Sequence, residues 1–290
     1  MGTCAGGKYD TGARVGAVIT VHNGERFIAR AIESLQRQTV GDWCCVIIND
    51  GSTDGTARLL KKVRDVRVSV VHVARIGRIR ALNLGCRAVR SDYIAILDSD
   101  DVAEPRRFEL QAQFLDESPA VGLVASYVRF RYETDGHTCY FKPPLLDSGV
   151  RSRITRFCPF AHSSVMFRKS LWEAIGGYNT DLPCNEDYNF YIDLMHLSTV
   201  KVVPEVLTTC SIHDRQSFRA LTSERLRART AAKLRFRAVR VLHRPAWEMV
   251  FGVAEWFYSL VCDHRVCVGL KRVLRDRVLV RHYWGEERVL

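Results

Sequence analysis

The feature that most constrains this chain is the order of hydrophobic periodicities over its first hundred residues. Val15 to Val21, Trp43 to Ile48, Val66 to Val71 and Tyr93 to Leu97 are short apolar or β-branched runs, the pattern of buried strands. Between the first two, Glu25 to Gln38 repeats apolar residues at Phe27/Ile28, Ala31/Ile32 and Leu35, as on an amphipathic helix. Ala57 to Val63 and Arg78 to Val89 read as further helices, the second with Leu82, Cys86 and Val89 inward. A βαβαβαβ order leaves few topologies open. Its crossovers are right-handed, its strands mainly parallel, and its functional loops gather at the strand carboxyl ends.

The remaining chain is less regular. From Ala103 to His213, Val121 to Ser126 and Ser163 to Phe167 read as shorter strands, Lys169 to Ile175 and Glu186 to Leu197 as helices, and Pro143-Pro144 as a loop. With 290 residues, 47% hydrophobic and 26% charged, the chain can bury a large core, which excludes wholesale disorder. Its ten cysteines are scattered without CxxC spacing, several inside apolar segments, so a reducing cytosol without a disulfide framework is expected. The first residues are polar and Gly-rich, so a flexible N-terminus over 1–13 and no secretion signal are expected. Ala246 to Cys262 carries Glu248 and Glu255 and is too short to span a bilayer comfortably.

Charge divides the chain unevenly. The net charge is +11, yet residues 214–290 hold 17 Lys+Arg against 8 Asp+Glu, leaving a near-neutral body and a basic tail. On a helix, Arg225, Arg229, Lys233, Arg237, Arg240 and Arg244 share one face, while Ala231, Leu234, Ala238 and Val241 share another. Trp247, Phe251, Trp256, Phe257 and Tyr258 follow. This content suits a helix lying on an anionic membrane surface, and equally helices packed on the body with arginines outward. Basic charge without a recognisable module gives no support for nucleic acid.

Three strand ends carry candidate chemistry. Strand one ends in Thr20-Val21-His22-Asn23-Gly24-Glu25, strand two in Asn49-Asp50-Gly51-Ser52-Thr53-Asp54-Gly55-Thr56, and strand four in Asp98-Ser99-Asp100-Asp101. The last places three carboxylates in four residues. Their repulsion is relieved by a hard divalent cation or by plain solvation as an acidic turn. Asp50 can accept from an imide or hydroxyl, and its neighbours are equally good turn and capping residues. No GxGxxG follows strand one and no GxxxxGK[ST] occurs, which removes the main support for dehydrogenases and P-loop NTPases.

Taken together, TVHNGE, the Gln36-Arg37-Gln38-Thr39 helix end, VIINDGSTDGT, Ala81-Leu82-Asn83-Leu84-Gly85 and YIAILDSDD resemble family 2 glycosyltransferases. The likeness continues through His162 to Asn179, Glu186-Asp187-Tyr188 and Ser211-Ile212-His213, covering roughly residues 14 to 215. The resemblance implies an α/β, GT-A type nucleotide-sugar-binding fold whose central, mostly parallel sheet is flanked by helices. Residues 14–102 would form the nucleotide-sugar half, 103–217 the acceptor half, and 218–290 a helical basic C-terminal region.

The resemblance also implies an inverting, metal-dependent transferase acting on a glycan, lipid-linked or other acceptor, in cell-surface polysaccharide or glycoconjugate synthesis. Hexosyl or N-acetylhexosaminyl transfer is the expected class, at a cytoplasmic site or peripherally on the inner membrane face. Thr20, Val21, Asn23, Glu25, Asp50, Arg78, Asp98 and Ser99 are expected along the donor nucleotide. A carboxylate at Asp50 suits the N3–H of uracil and favours a UDP-sugar. Arg75, in the loop after strand three, reads as a phosphate contact or as part of a solvated face. Asp98, Asp100, Asp101 and His213 are expected to hold Mn²⁺ or Mg²⁺, and Asp187, beside Glu186, to act as the base. His162 and Tyr188 would border the acceptor pocket. Two departures stand out: Asn49 replaces the commoner Asp, and Cys210-Ser211-Ile212-His213 replaces Tyr-Arg-x-His. Two rival readings remain. A non-catalytic sugar-nucleotide-binding protein with a membrane- or nucleic-acid-binding tail would have lost its acidic motifs, which are intact here. A nucleotidyltransferase would need a basic Gly-rich loop after strand one.

Overall fold

The computed structural model describes residues 12–213, 223–261 and 284–285. The expectations for the extreme N-terminus and for a boundary at 217/218 lie outside the described residues. The first half runs β1 (Ala13–Val21), α1 (Ile28–Gln36), β2 (Trp43–Asp50), α2 (Thr56–Leu60), β3 (Val68–Val73), α3 (Arg78–Ala88) and β4 (Ser91–Ile96). The order β3-β2-β1-β4 is parallel throughout, with Val18 facing Val46 on one side and Ile96 on the other. Helix α1 starts three residues later than its periodicity predicts, because Phe27 and Ile28 both donate backbone N–H groups to Gly24 in a preceding turn.

Alternation along the strands builds two cores. Val15, Ala17, Ile19 and Val21 of β1, with Trp43, Cys45 and Ile47 of β2, meet α1 and the next helix, α4 (Arg107–Glu117), on one face. Val18, Val46 and Ile48 meet Ala81, Leu82 and Cys86 of α3 on the other. Each fully buried aliphatic side chain contributes about 1.5–3 kcal/mol. The sheet is therefore fixed from both sides, and its carboxyl-end loops sit on a rigid base.

The second half continues the sheet with mixed polarity. It contains β5 (Val102–Ala103), β6 (Val121–Tyr132), β7 (Thr138–Phe141), α5 (Asp147–Ile154), β8 (Met166–Arg168), α6 (Lys169–Ile175), α7 (Glu186–Leu197) and β9 (Thr199–Ile212). Strand β8 lies antiparallel between β4 and β6, and β9 pairs with β5 and β6. The expectation of shorter strands here is corrected: β6 has 12 residues and β9 has 14. Pro204 hid β9, because its missing N–H forces an irregularity; Ser126 faces Val203 but Tyr127 faces Val206. The strand expected over Ser163 to Phe167 is a 3₁₀ turn, His162–Ser164, followed by the short β8.

Helices α8 (Glu224–Val241) and α9 (Met249–Val261) form an antiparallel pair, and a two-residue strand β10 (Trp284–Gly285) pairs with β7. Burial of Ala228, Ala232, Leu234, Ala238 and Val239 docks α8 on the body. Arg237 reaches Asp193 of α7 at 2.5 Å, and Glu248 accepts from Thr155 at 2.7 Å and from Arg244 at 2.6 Å. The predicted single outward arginine face is thus split: Arg237 and Arg244 turn to the body, whereas Arg229, Lys233 and Arg240 are exposed. All seven cysteines among the described residues are free. No helix among them is long and apolar enough to cross a membrane.

Candidate active site

The carboxyl ends of β1, β2 and β4 open on one crevice, as a doubly wound order requires. At the β1 and β2 ends, side chains bind the loops to each other. Asn23, held at φ 56, accepts from Thr53 N at 2.8 Å and donates its own N–H to Ser52 Oγ at 3.0 Å. Glu25 accepts from Gly55 N at 2.6 Å and donates its backbone N–H to Asp54 at 3.1 Å. Asn23 and Glu25, expected along the donor, also latch the two loops together. Thr20 and Val21 are buried beneath them, and Ser99 lies across from Gly24.

Asp50 is almost wholly enclosed. Its Oδ1 accepts from Ile76 N at 2.6 Å and Gly77 N at 3.3 Å; its Oδ2 accepts from Gly77 N at 3.1 Å and from Arg75 Nη1. Gly77 has φ 88 and Gly51 φ 65, left-handed values that bring the two loops together. A Cβ on Gly51 would lie 2.7 Å from Arg75 N.

Arg78, the first residue of α3, joins the donor end of the crevice to the opposite wall. Its Nη2 donates to Asp98 Oδ1 at 2.8 Å and to His162 Nδ1 at 3.1 Å, while its Nε donates to Glu186 Oε1 at 2.9 Å. Burial opposes ionisation of Asp98, yet Arg78 foremost, with Ser163, outweighs it and holds that carboxyl below its ordinary range. Burial pushes His162 down to about 4. Since Arg78 can only donate, His162 accepts at Nδ1 and donates from Nε2 to the Tyr178 hydroxyl at 2.9 Å. His162 is a buried support for Arg78 and is not brought to an open acceptor pocket. Tyr188 is likewise buried, its hydroxyl donating to Ile154 O.

The acidic cluster separates into three environments. Asp98 faces Arg78. Asp100 Oδ2 lies 3.0 Å from His213 Nε2, and the His213 ring stacks on Phe27 at 4.4 Å between centroids. The Asp100 carbonyl accepts from Arg30 at 3.2 Å and Ser211 Oγ at 2.7 Å, which fixes the loop. Asp101 turns inward, accepts Ser211 N at 3.0 Å, and is buried. Burial first, then Asp100 and Asp98, push its carboxyl well up. Asp101 is thus engaged with β9, apart from the facing pair Asp100 and His213. Beneath the cluster, fully buried Arg107 donates to Ile96 O at 2.9 Å and Val165 O at 3.0 Å.

Among the described residues, no three His, Cys, Asp or Glu side chains come together as a ready-made metal cluster. Asp100 and His213 supply an oxygen–nitrogen pair that a hard divalent ion accepts when substrate oxygens complete its shell.

Asp187 sits in the first turn of α7 after Asn185, which adopts φ 59. It accepts from Tyr188 N at 2.7 Å and lies 3.8 Å from Cys158 Sγ. Burial, then the neighbouring Glu186, raises its carboxyl to about 7, where it can take a proton near neutrality. Sequence reasoning missed Arg30, Arg107 and Tyr178 here. Only Arg107 left a local sign, the i,i+4 pair with Gln111, to which its Nε donates at 3.1 Å.

Known proteins share the family and the fold. The family model described as Glycosyl transferase family 2 matches residues 17–174, more than half of the chain. An uncharacterized glycosyltransferase of Haemophilus influenzae is 26% identical over 70% of this chain and 67% of its own length. The putative glycosyltransferase EpsE of Bacillus subtilis is 29% identical over 59% of this chain and 62% of its own. Among solved structures, S. aureus TarS 1-349 in complex with UDP-GlcNAc superposes with TM-score 0.64 at 14% identity, covering 92% of this chain and 77% of that one. The mannosyltransferase PcManGT from Pyrobaculum calidifontis, in complex with GDP-Man and Mn²⁺, superposes with TM-score 0.59 at 19% identity, covering 94% and 82%. With its curled mixed sheet of GT-A type, the chain belongs to glycosyl transferase family 2.

Proposed function

We propose that this protein transfers a sugar, with inversion, from a nucleoside-diphosphate sugar to an acceptor hydroxyl on a glycan or lipid-linked molecule. The observation that carries the reading is the Arg78 bridge, which holds Glu186, the neighbour of Asp187, at 2.9 Å and Asp98 of the acidic cluster at 2.8 Å; burial and Glu186 raise the Asp187 carboxyl beside it. As the acceptor oxygen attacks the anomeric carbon, its proton passes to Asp187, and the bond to the leaving diphosphate breaks on the opposite face. Arg78 keeps Glu186 and Asp98 in register across the crevice. Asp100 and His213 would hold Mn²⁺ or Mg²⁺, which when bound offsets charge on the leaving diphosphate. A UDP-sugar is the favoured donor, on the likeness to UDP-GlcNAc-bound TarS; the PcManGT complex keeps GDP-sugars in the test. Hexosyl or N-acetylhexosaminyl transfer is the reaction proposed with it.

Calorimetric titration with UDP and GDP, each with and without Mn²⁺, tests the reading. Metal-dependent binding that Asp100→Ala abolishes supports it. Metal-independent binding overturns the cation role, and no binding to either nucleotide favours a non-catalytic protein.

The C-terminal helices support a second part of the proposal, docking on an anionic membrane surface at the cytoplasmic face. Trp247, Val250, Val253, Trp256 and Phe257 are exposed, Phe257 to 63%. Beside them Arg229 lies 6.0 Å from the Trp256 ring centroid, and Lys233 and Arg240 are exposed on α8. An apolar row flanked by cations matches the interface of an anionic bilayer. Salt-sensitive co-sedimentation with vesicles containing anionic lipid is expected, and its absence overturns the docking.

A further inference from the structure

The turn that carries Asp187 is held at two points. At the crevice, Arg78 takes Glu186 at 2.9 Å. The second hold comes from α8, which lies beyond the residues 17–174 that match the family model. Asn185 Nδ2 donates to Arg227 O of that helix at 3.3 Å, and the Cys184 thiol lies beside the Thr230 hydroxyl. Further along α7, Arg237 of α8 reaches Asp193 at 2.5 Å. Asn185 begins its helix in an uncommon way. An Asn before a first turn ordinarily sits in extended backbone and caps, its side-chain oxygen accepting an N–H of that turn. Asn185 instead has φ 59 and ψ 37, and its side chain makes no cap. Its carbonyl still accepts Asn189 N at 3.1 Å, so the helix runs from Glu186 onward. A left-handed residue other than glycine persists where its surroundings hold it. Here α8 does so: the amide that local chemistry would turn into a cap goes to Arg227 O.

We infer that α8 positions the base of the proposed reaction, with Asn185 as the positioning residue whose bond to Arg227 O sets the turn from which Glu186 and Asp187 project. This rests on the transferase reading above, with Asp187 as the base. Asp187 has little hold of its own. Its carboxylate accepts from Tyr188 N, which belongs to the same turn and moves with it, and from the Cys158 thiol at 3.8 Å, a weak donor. Its place against the crevice is therefore fixed through its neighbours, Glu186 on Arg78 and Asn185 on α8. A base must lie within hydrogen-bond reach of the hydroxyl it deprotonates. A displacement of about 1 Å costs on the order of 10²-fold in rate. The basic C-terminal helix thus has a part in the chemistry as well as on the surface.

The experiment separates the backbone of Asn185 from its amide, in the full chain. Asn185→Asp keeps a residue that tolerates the left-handed region and removes the N–H. Asn185→Gly takes that backbone freely and removes the whole side chain. Turnover is read as nucleoside diphosphate released from UDP-GlcNAc or GDP-mannose with Mn²⁺, water serving as acceptor. Both variants should lower it about tenfold or more, while affinity for UDP and GDP with Mn²⁺ changes by less than about twofold. Amide hydrogen exchange over residues 186–190 should quicken in both, with exchange over α3 unchanged. Full turnover in Asn185→Gly would mean that the backbone alone sets the turn, and it overturns the role of α8. Turnover and nucleotide affinity falling together would mark a loosened fold and overturn it as well. Exchange over 186–190 that stays at the unaltered rate overturns the inference even where neither donor turns over. An inactive Asp187→Asn beside normal Asn185 variants overturns this inference alone. Turnover that survives in Asp187→Asn overturns the base reading, and this inference with it.

Discussion

Two carboxylates at opposite ends of the crevice, Asp50 and Asp187, show how one side chain type is put to two uses. Asp50 takes two backbone amides and a guanidinium, and it is fixed as an acceptor. Asp187 takes one backbone N–H and faces the Cys158 thiol at 3.8 Å, with Glu186 as its charged neighbour. Few donors, burial and a like charge together favour a carboxyl that holds its proton to about 7. Donor count and neighbouring charge separate a positioning carboxylate from a base.

The largest expected effect comes from removing the base. Asp187→Asn should lower turnover by about 10²–10⁴-fold with nucleotide affinity unchanged, because an amide cannot accept the acceptor's proton. In the unaltered enzyme the rate should climb as pH rises through about 7, as Asp187 ionises. Stability should run the other way. A carboxyl at about 7 in the fold and 3.8 unfolded binds the proton more tightly when folded, so its contribution falls as pH rises between those values. Stopped assays across pH, and denaturant titrations on the acid and alkaline sides of neutrality, check both signs. Near-normal turnover by the variant would erase the contrast with Asp50.

Next comes the opposite carboxylate. Asp50→Ala leaves Ile76 N, Gly77 N and Arg75 without their acceptor and should cost about 2–4 kcal/mol of stability. Denaturant midpoints measure it. A cost under about 0.5 kcal/mol would mean that the carboxylate is not fixing this loop.

The contrast was only partly open to sequence reading. Motifs behind apolar strands set Asp50, Asp98 and Asp100 along one edge, because strand ends in a βαβ order must share it; Asp187 came from the resemblance alone, through the Glu186-Asp187 pair that opens a helix. What the motifs could not carry was the direction of each side chain. Asp101 closes a turn on the Asp98 carbonyl, and its carboxyl points inward only because β9 brings Ser211 N beside it. That pairing spans 110 residues and depends on a strand that Pro204 disguised. His162 and Tyr188 carry polar groups that sequence reading turned toward a ligand, yet Tyr178 and Ile154 already satisfy them inside the core. Arg75 and Arg30 are ordinary surface arginines by pattern. Their partners, Asp50 and Ser211, come from other strands and become visible only when register is known.

A smaller effect tests the cause assigned to Asp187. Glu186→Gln keeps an oxygen for Arg78 but removes the like charge. The acid limb of the pH–rate profile should move to lower pH by about one unit. An unmoved limb would leave burial, with the charge of Asp98, as the cause of the raised carboxyl.

The smallest expected effect concerns a residue that sequence reading set along the donor. Glu25 is exposed and accepts from Gly55 N at 2.6 Å, while its own N–H goes to Asp54. Glu25→Ala removes one charge-assisted hydrogen bond at a solvated site, so stability should fall by about 1 kcal/mol. Nucleotide affinity should change by less than about twofold, since neighbouring latches at Asn23 still join the same two loops. A tenfold loss of affinity at constant stability would return Glu25 to the donor. It would also make the β1 end a ligand-reading surface in its own right, and the division of labour between Asp50 and Asp187 would then need a third carboxylate.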